Sequence, residues 1–167
     1  KKEILEKTTL VNEPNIPFPQ ADRFERVINL CELLSTQRLS RADVTEQYDF
    51  DERQTNYYTD AARYLGLLEK RKDSGTPLYR ISAKGQQILS LSYKQRQLAY
   101  CDTILSHKVF HDALQTYLKN GVMPSTENVV NIMKKSNLYH VESDSTFKRR
   151  SSSVKGWLNW IVSLINE

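Results

Sequence analysis

Side chains able to do covalent or metal chemistry are sparse in this chain. His107 and His111 stand four apart in the stretch LSHKVFHDAL, a spacing that can place two imidazoles on one helix face. The Glu of the H-E-x-x-H pattern is missing and no third ligand is in view, so the pair reads as a solvated or half-buried helix pair. No Asp or Glu is followed two positions later by Lys, which removes the D/E-x-K element used in metal-dependent DNA hydrolysis. Neither G-x-x-x-x-G-K-[ST] nor G-x-G-x-x-G occurs. Cys31 and Cys101 sit in the apolar stretches INLCELL and LAYCDTIL and read as small buried hydrophobes suited to a reducing, cytoplasmic setting. No catalytic residue, metal ligand or cofactor is expected in this segment.

Residues suited to recognition are more concentrated. Arg53, Gln54, Asn56 and Tyr57 fall in one short run, carrying hydrogen-bond donors and acceptors together with an aromatic ring. Lys70, Arg71 and Lys72 are followed by Ser74, Gly75 and Thr76. Thr146, Lys148, Arg149, Arg150 and Ser151, with Ser152 and Ser153, combine cations and small hydroxyls at what reads as a helix N-terminus, a combination that suits phosphate. Bland readings stand beside both basic runs. Lys and Arg also protect hairpin edges from aggregation, and Glu142 and Asp144 balance a solvated basic face.

Charge alone decides little. The 167 residues carry a net charge of +4, but residues 21–80 are at −1 while residues 81–120 and 121–167 hold +3 and +2. A nucleic-acid partner would therefore have to be met by local basic spots. Nine Tyr, five Phe and two Trp are enough to fill a core, which excludes a disordered tail. Five Gly, five Pro and two Cys exclude collagen-like and disulfide-scaffold classes. No run of about 18 apolar residues is present to span a membrane. The start, KKEILEK, has neither an initiator Met nor a signal-type apolar core, so the chain reads as one module of a longer protein.

The elements that must position these residues follow from periodicity. Pro14, Pro17 and Pro19 make residues 1–20 an extended lead-in. Phe24, Val27, Ile28, Cys31 and Leu34 then mark an amphipathic helix. Ser40 opens a second helix through a capping-box-like S-R-A-D, with Ala42, Val44 and Tyr48 as candidate inward residues. Asp49 or Asp51 caps a third, with Thr55, Tyr58, Ala62 and Leu65 inward and Gly66 ending it. LLEKRK, the turn DSGTP and LYRIS predict a hairpin, and Ser82 starts a long helix running to Leu105.

Three helices, a hairpin and a following helix are the outline of a winged helix-turn-helix. The stretch TDAARYLGLLEKRKDSGTPLYRISAKGQQIL resembles the third helix, wing and following helix of bacterial winged-helix regulators and restriction-type DNA-binding modules. The likeness covers about residues 21–95. It implies that the third helix enters a major groove, where Arg53, Gln54, Asn56 and Tyr57, projecting away from the inner face, would read bases. It also implies phosphate contacts from the wing, at Lys70, Arg71, Lys72, Ser74 and Thr76. Asp51, Glu52 and Asp60 oppose a tight phosphate grip by that helix, although acid near its N-terminus also serves the helix dipole. Tyr57, Tyr58 and Tyr64 could stack on unpaired bases, but at helical spacing they more often serve the core.

Residues 106–167 read as a second helical, helix-turn-helix-like lobe. Val109, Ala113, Leu114, Tyr117 and Leu118 mark one helix, stopped at Asn120-Gly121. Ser125 starts another with Val129, Ile132 and Met133 inward, and Ser143 or Asp144 begins a long last helix. Laying TDAARYLGLL on SSSVKGWLNW matches Thr59 with Ser151, Ala62 with Val154, Leu65 with Trp157 and Leu68 with Trp160. Duplication explains this, as does shared helical periodicity. Trp157 and Trp160, with Leu158, Ile161 and Leu164, crowd more than one face of the last helix and suggest a homodimer or an upstream catalytic domain as partner.

The expected architecture is therefore mainly α: a lead-in (1–20), a winged helix-turn-helix with its following helix (21–105) and a helical second lobe (106–167). The expected partner is double-stranded DNA, and the expected context a bacterial or phage restriction-modification endonuclease, by analogy. The near-neutral charge of residues 21–80 keeps open a protein-docking winged helix, and a stand-alone transcriptional regulator is the third reading.

Overall fold

The computed structural model describes residues 2–166. Lys2–Lys7 form a short helix, α1, where the lead-in was expected to be extended throughout. The prolines act only from Pro14 onward, and KEILEK is built almost entirely of good helix formers. Ile4 and Leu5 pack against the core. Residues 8–23 are irregular and run across the molecule as a strap, burying Phe18 and Ala21 to 1% exposure each.

Three helices follow: α2 (Phe24–Leu34), α3 (Arg41–Tyr48) and α4 (Glu52–Tyr64). Ser40 and Asp43 form the reciprocal capping box that S-R-A-D predicts. At α4 the choice between two aspartates resolves to Asp51, whose carboxylate accepts from the Gln54 N–H at 2.7 Å while Gln54 Oε1 accepts from the Asp51 N–H at 3.1 Å. Asp49 instead ends α3 in the left-handed region, φ 53°. The Thr45 and Thr55 hydroxyls, 2.7 Å apart, tie α3 to α4. Thr55, Tyr58, Ala62 and Leu65 are all buried, as their spacing predicts, whereas Ala42 of α3 is exposed.

Strands β1 (Leu68–Asp73) and β2 (Thr76–Ile81) pair antiparallel, with Asp73 opposite Thr76. The two-residue loop between them, Ser74 at φ 52° and Gly75 at φ 86°, has both residues in the left-handed region, as a type I′ hairpin requires. Leu39, ahead of α3, adds a bridge to Tyr79, with backbone bonds of 3.1 and 2.7 Å.

The expected helix from Ser82 to Leu105 is two helices, α5 (Ala83–Leu89) and α6 (Tyr93–Leu105). Polar side chains compete for the backbone at the break. Ser90 Oγ donates to the Gln87 carbonyl at 2.6 Å, the Arg96 guanidinium donates to the Leu89 carbonyl at 2.7 Å, and Ser92 caps α6.

Helices α7 (Lys108–Asn120), α8 (Thr126–Lys134) and α9 (Asp144–Ile165) complete the chain. Gly121, at φ 76°, stops α7 as the Asn120-Gly121 pair predicts. Ser143, rather than Asp144, is the N-cap of α9. All four matched positions share burial: Thr59 with Ser151, Ala62 with Val154, Leu65 with Trp157 and Leu68 with Trp160. The elements differ at the last pair, where Leu68 lies in β1 while Trp160 continues α9.

One aromatic core spans both halves. Phe24 meets Trp157 edge-on at 5.2 Å between ring centroids, Phe110 stacks on Trp157 at 5.0 Å, and Phe18 stacks on Phe110 at 5.5 Å. Trp157 and Trp160 are 0% and 8% exposed, so the aromatic crowding of the last helix is met inside the chain's own core. Cys31 and Cys101 are buried free thiols. The architecture is mainly helical with one small two-stranded antiparallel sheet. Among the described residues no helix is long and apolar enough to cross a membrane.

Candidate nucleic-acid interface

Helix α4 buries one side and leaves Glu52 and Arg53 exposed, with Asn56, Tyr57, Asp60 and Arg63 half-buried beside them. The strap covers its buried side at the C-terminal end. Tyr64 donates its hydroxyl to Glu13 of the strap, 2.7 Å from Oε1 and 2.9 Å from Oε2, and its ring meets Phe18 edge-on. The first two turns of the polar side carry Arg53, Gln54, Asn56 and Tyr57, and the next carries Asp60 and Arg63, which pair with each other at 3.4 Å. Gln54 has its amide oxygen engaged by the cap, which leaves its N–H donors unengaged among the described residues.

On one flank of α4 lies the hairpin. Lys70, Lys72, Ser74 and Thr76 are exposed, and Lys70 Nζ sits 5.7 Å above the Tyr79 ring. Arg71 is drawn to Glu69 at 3.4 Å, a carboxylate shared with Arg80 at 3.0 Å. Strand alternation sends Lys70 and Lys72 to one face of the hairpin and Arg71 to the other. A groove of about 520 Å³ between α3, α4 and the hairpin mixes Arg41 and Lys70 with Glu46 and Glu52.

On the other flank, α9 supplies Lys148 and Arg149, both exposed, with Arg149 Nη2 donating to Thr146 Oγ1 at 3.2 Å. Arg150 is turned inward, contrary to its expected phosphate role. Its guanidinium donates to the Phe18 carbonyl oxygen, and burial lowers its pKa below the usual arginine value, opposed by nearby Tyr57 and Asp60. The serine run is likewise turned to the protein. Ser151 is 2% exposed and donates to the Lys148 carbonyl at 2.6 Å. Ser152 donates to Asp22 Oδ1 at 2.8 Å, and Ser153 accepts the Ala21 N–H at 2.7 Å. These serines lie two turns inside α9, where the backbone N–H groups bond within the helix, so the expected phosphate cradle does not form there.

The fold places two cations beside Lys148 and Arg149 that the sequence pattern did not single out. Arg23 and Arg26, at the start of α2, line a groove of about 610 Å³ together with Gln54, Tyr57, Lys148 and Arg149. None of these four cations belongs to an ion pair among the described residues; Arg26 packs its guanidinium 5.6 Å from the Phe50 ring centroid. A signal for them existed. Cations at the N-cap and third residue of a helix stand against its dipole, so something other than helix stability places them there.

The histidine pair is divided between roles. His107 is the buried N-cap of α7, with Nδ1 3.8 Å from Glu13 Oε1, and His111 faces Asp112 at 3.5 Å. No cluster of three or more His, Cys, Asp or Glu that could hold a metal ion occurs among the described residues.

No curated protein and no solved structure matches the chain. The profile of a family described as a domain of unknown function, DUF7226, matches residues 26–166. That span takes in α4, the hairpin and α9, together with most of α2, and the chain belongs to the DUF7226 family.

Proposed function

We propose that this chain is a duplex-DNA-binding module of winged helix-turn-helix type. In this reading α3 and α4 are the helix-turn-helix, β1 and β2 the wing, and the Leu39–Tyr79 bridge the short third strand of the wing sheet. The first two turns of α4 face a major groove, with Arg53 and Asn56 placed to meet base edges. Lys70 and Lys72 meet phosphates on one side, and Lys148, Arg149, Arg23 and Arg26 meet them on the other.

The observation that carries this reading is the four cations, outside any ion pair among the described residues, beside the open turns of α4. Three of them are exposed and Arg26 is half-buried, and Asp22 is the one carboxylate among the described residues lining the same groove, so the cations repel one another and a polyanion relieves that repulsion while releasing its own counterions. A larger restriction-modification endonuclease in the bacterial cytoplasm is the context we propose, by analogy of the hairpin stretch alone.

Titration of a labelled mixed-sequence duplex by fluorescence anisotropy, at several salt concentrations, tests the proposal. We expect saturable binding whose logarithm falls linearly with log salt, at a slope of about −0.9 per phosphate neutralised. Absence of binding even at low salt would overturn it. Glu52 and Asp60 on the open side of α4 favour the second reading, a winged helix that docks a protein, and that outcome would leave it standing.

A further inference from the structure

The groove between α2, α4 and α9 is built for more than a phosphate backbone. We infer that it takes one unpaired nucleotide, its base against Tyr57 and its phosphate between Arg23, Arg26, Lys148 and Arg149. The inference rests on the reading of this face as a nucleic-acid surface and names what one part of it holds.

The volume comes first. At about 610 Å³ the groove is open to solvent and similar in size to others on the surface, so it has room for a base with its sugar and phosphate, and the choice of occupant rests on its lining.

Aromatic surface comes second. Tyr57 is half-buried, yet its ring has no aromatic partner among the described residues, whereas neighbouring Tyr58 is stacked on Phe50 at 5.4 Å. The Tyr58 hydroxyl is also engaged, accepting the Arg23 N–H at 3.2 Å. Tyr57 is thus the open ring of the groove, and every base offers a π-face to such a ring.

Unengaged polar groups come third. Among the described residues Gln54 keeps its amide donors, Gln20 has both ends of its amide unengaged, and Asp22 holds Ser152 and Ser153 through Oδ1 while Oδ2 is unengaged. Amide donors and a carboxylate acceptor beside a ring are the complement of a base edge. A clamp on backbone phosphates alone would need the four cations but neither the ring nor the amides.

The test uses the intact chain and short labelled DNA hairpins. One is fully paired, one carries a single-stranded overhang, and one carries a single unpaired nucleotide inside the stem; each unpaired position is also made abasic. We expect the base-bearing ligands to bind about tenfold tighter than their abasic counterparts, the size one stacked base supplies. Gain with the overhang identifies a strand end as the source, and gain with the internal nucleotide identifies an extruded base. Tyr57→Ala is expected to bring the base-to-abasic ratio to one, and Tyr57→Phe to preserve it. Equal binding of base and abasic ligands, with the paired hairpin still bound, overturns this inference and leaves duplex binding intact. Base-dependent binding of the overhang without binding of the paired hairpin supports the groove and overturns the duplex. No binding of any ligand overturns both.

Discussion

Trp157 donates its indole N–H to the Ala21 carbonyl oxygen at 2.6 Å, and one turn earlier Ser153 Oγ accepts the N–H of the same Ala21 at 2.7 Å. Both backbone groups of a strap residue only 1% exposed are thereby answered by α9. Trp157→Ala is expected to lower unfolding free energy by about 3–5 kcal/mol in urea titrations. Trp157→Phe, which keeps a ring and removes the donor, should lose about 1–3 kcal/mol for the orphaned carbonyl. Equal losses in both variants would mean that the ring contributes nothing beyond the hydrogen bond.

The same crossing depends on Gly156. A methyl group there would run into the Asp22 carbonyl, a backbone atom that cannot turn aside. Gly156→Ala should therefore destabilise the fold by about 1–3 kcal/mol despite the better helix propensity of Ala. In a domain of this size that is roughly 2–4 °C of melting temperature per kcal/mol. A rise in melting temperature would show that the strap can lift away from α9 freely.

Stability is expected to fall in alkali. Burial pushes the Cys31 and Cys101 thiols up from 9.0 to about 12, and Tyr48 up from 10.0 to about 12, and it raises Tyr64 and Tyr100 as well. The unfolded chain loses these protons first, so it binds fewer protons than the native state between about pH 9 and 12. Stability should be flat below pH 9 with respect to these groups and decline from there toward pH 12, as chemical denaturation at each pH would record. The same burial keeps both thiols protonated and slow toward a disulfide reagent until the protein unfolds.

Arg150 and its two neighbours should separate by their effects. Lys148→Ala with Arg149→Ala is expected to weaken duplex binding on all sequences and to reduce the magnitude of the salt slope by about 0.9 for each phosphate left without its cation. Arg150→Ala removes the donor to the Phe18 carbonyl and should lower stability while leaving the salt slope alone. A slope change from Arg150→Ala as large as that from the pair would contradict its inward placement.

Arg53 and Asn56 should instead govern which sequences are bound. Each bidentate base contact discriminates by about 1–3 kcal/mol, so Arg53→Ala or Asn56→Ala should relax preference at one position when selected sites are compared. Uniform weakening across all sites would remove these residues from base recognition.

Local signals in the sequence carried most of the fold. Caps at Ser40, Asp51 and Ser82, the left-handed pair Ser74-Gly75 and the stop at Gly121 each act within a few residues, and each is where its residue type required. The break at Ser90–Ser92 escaped because a serine inside an apolar period weakens a helix only slightly, and the Arg96 contact that completes the break is made through folding. Long-range contacts were illegible for a different reason. Arg150 stands three residues after Phe147 and four before Val154, on the apolar stripe of α9, a placement that helix periodicity carries and the charge of the run obscured, whereas nothing local sets Arg23 beside Lys148. The meeting of α2 with α9 is made by tertiary packing, so the basic stretch was visible while its juxtaposition with Arg23 and Arg26 was not.

The strap ties the order of synthesis to the moment of folding. Ala21 and Trp157 are 136 residues apart in sequence, and at about 5–20 residues per second a ribosome needs roughly 7–27 s to travel between them. Until then Phe18, Ala21 and Phe24 have no indole to close over them, so the nascent chain carries an apolar seam that stays open until α9 arrives.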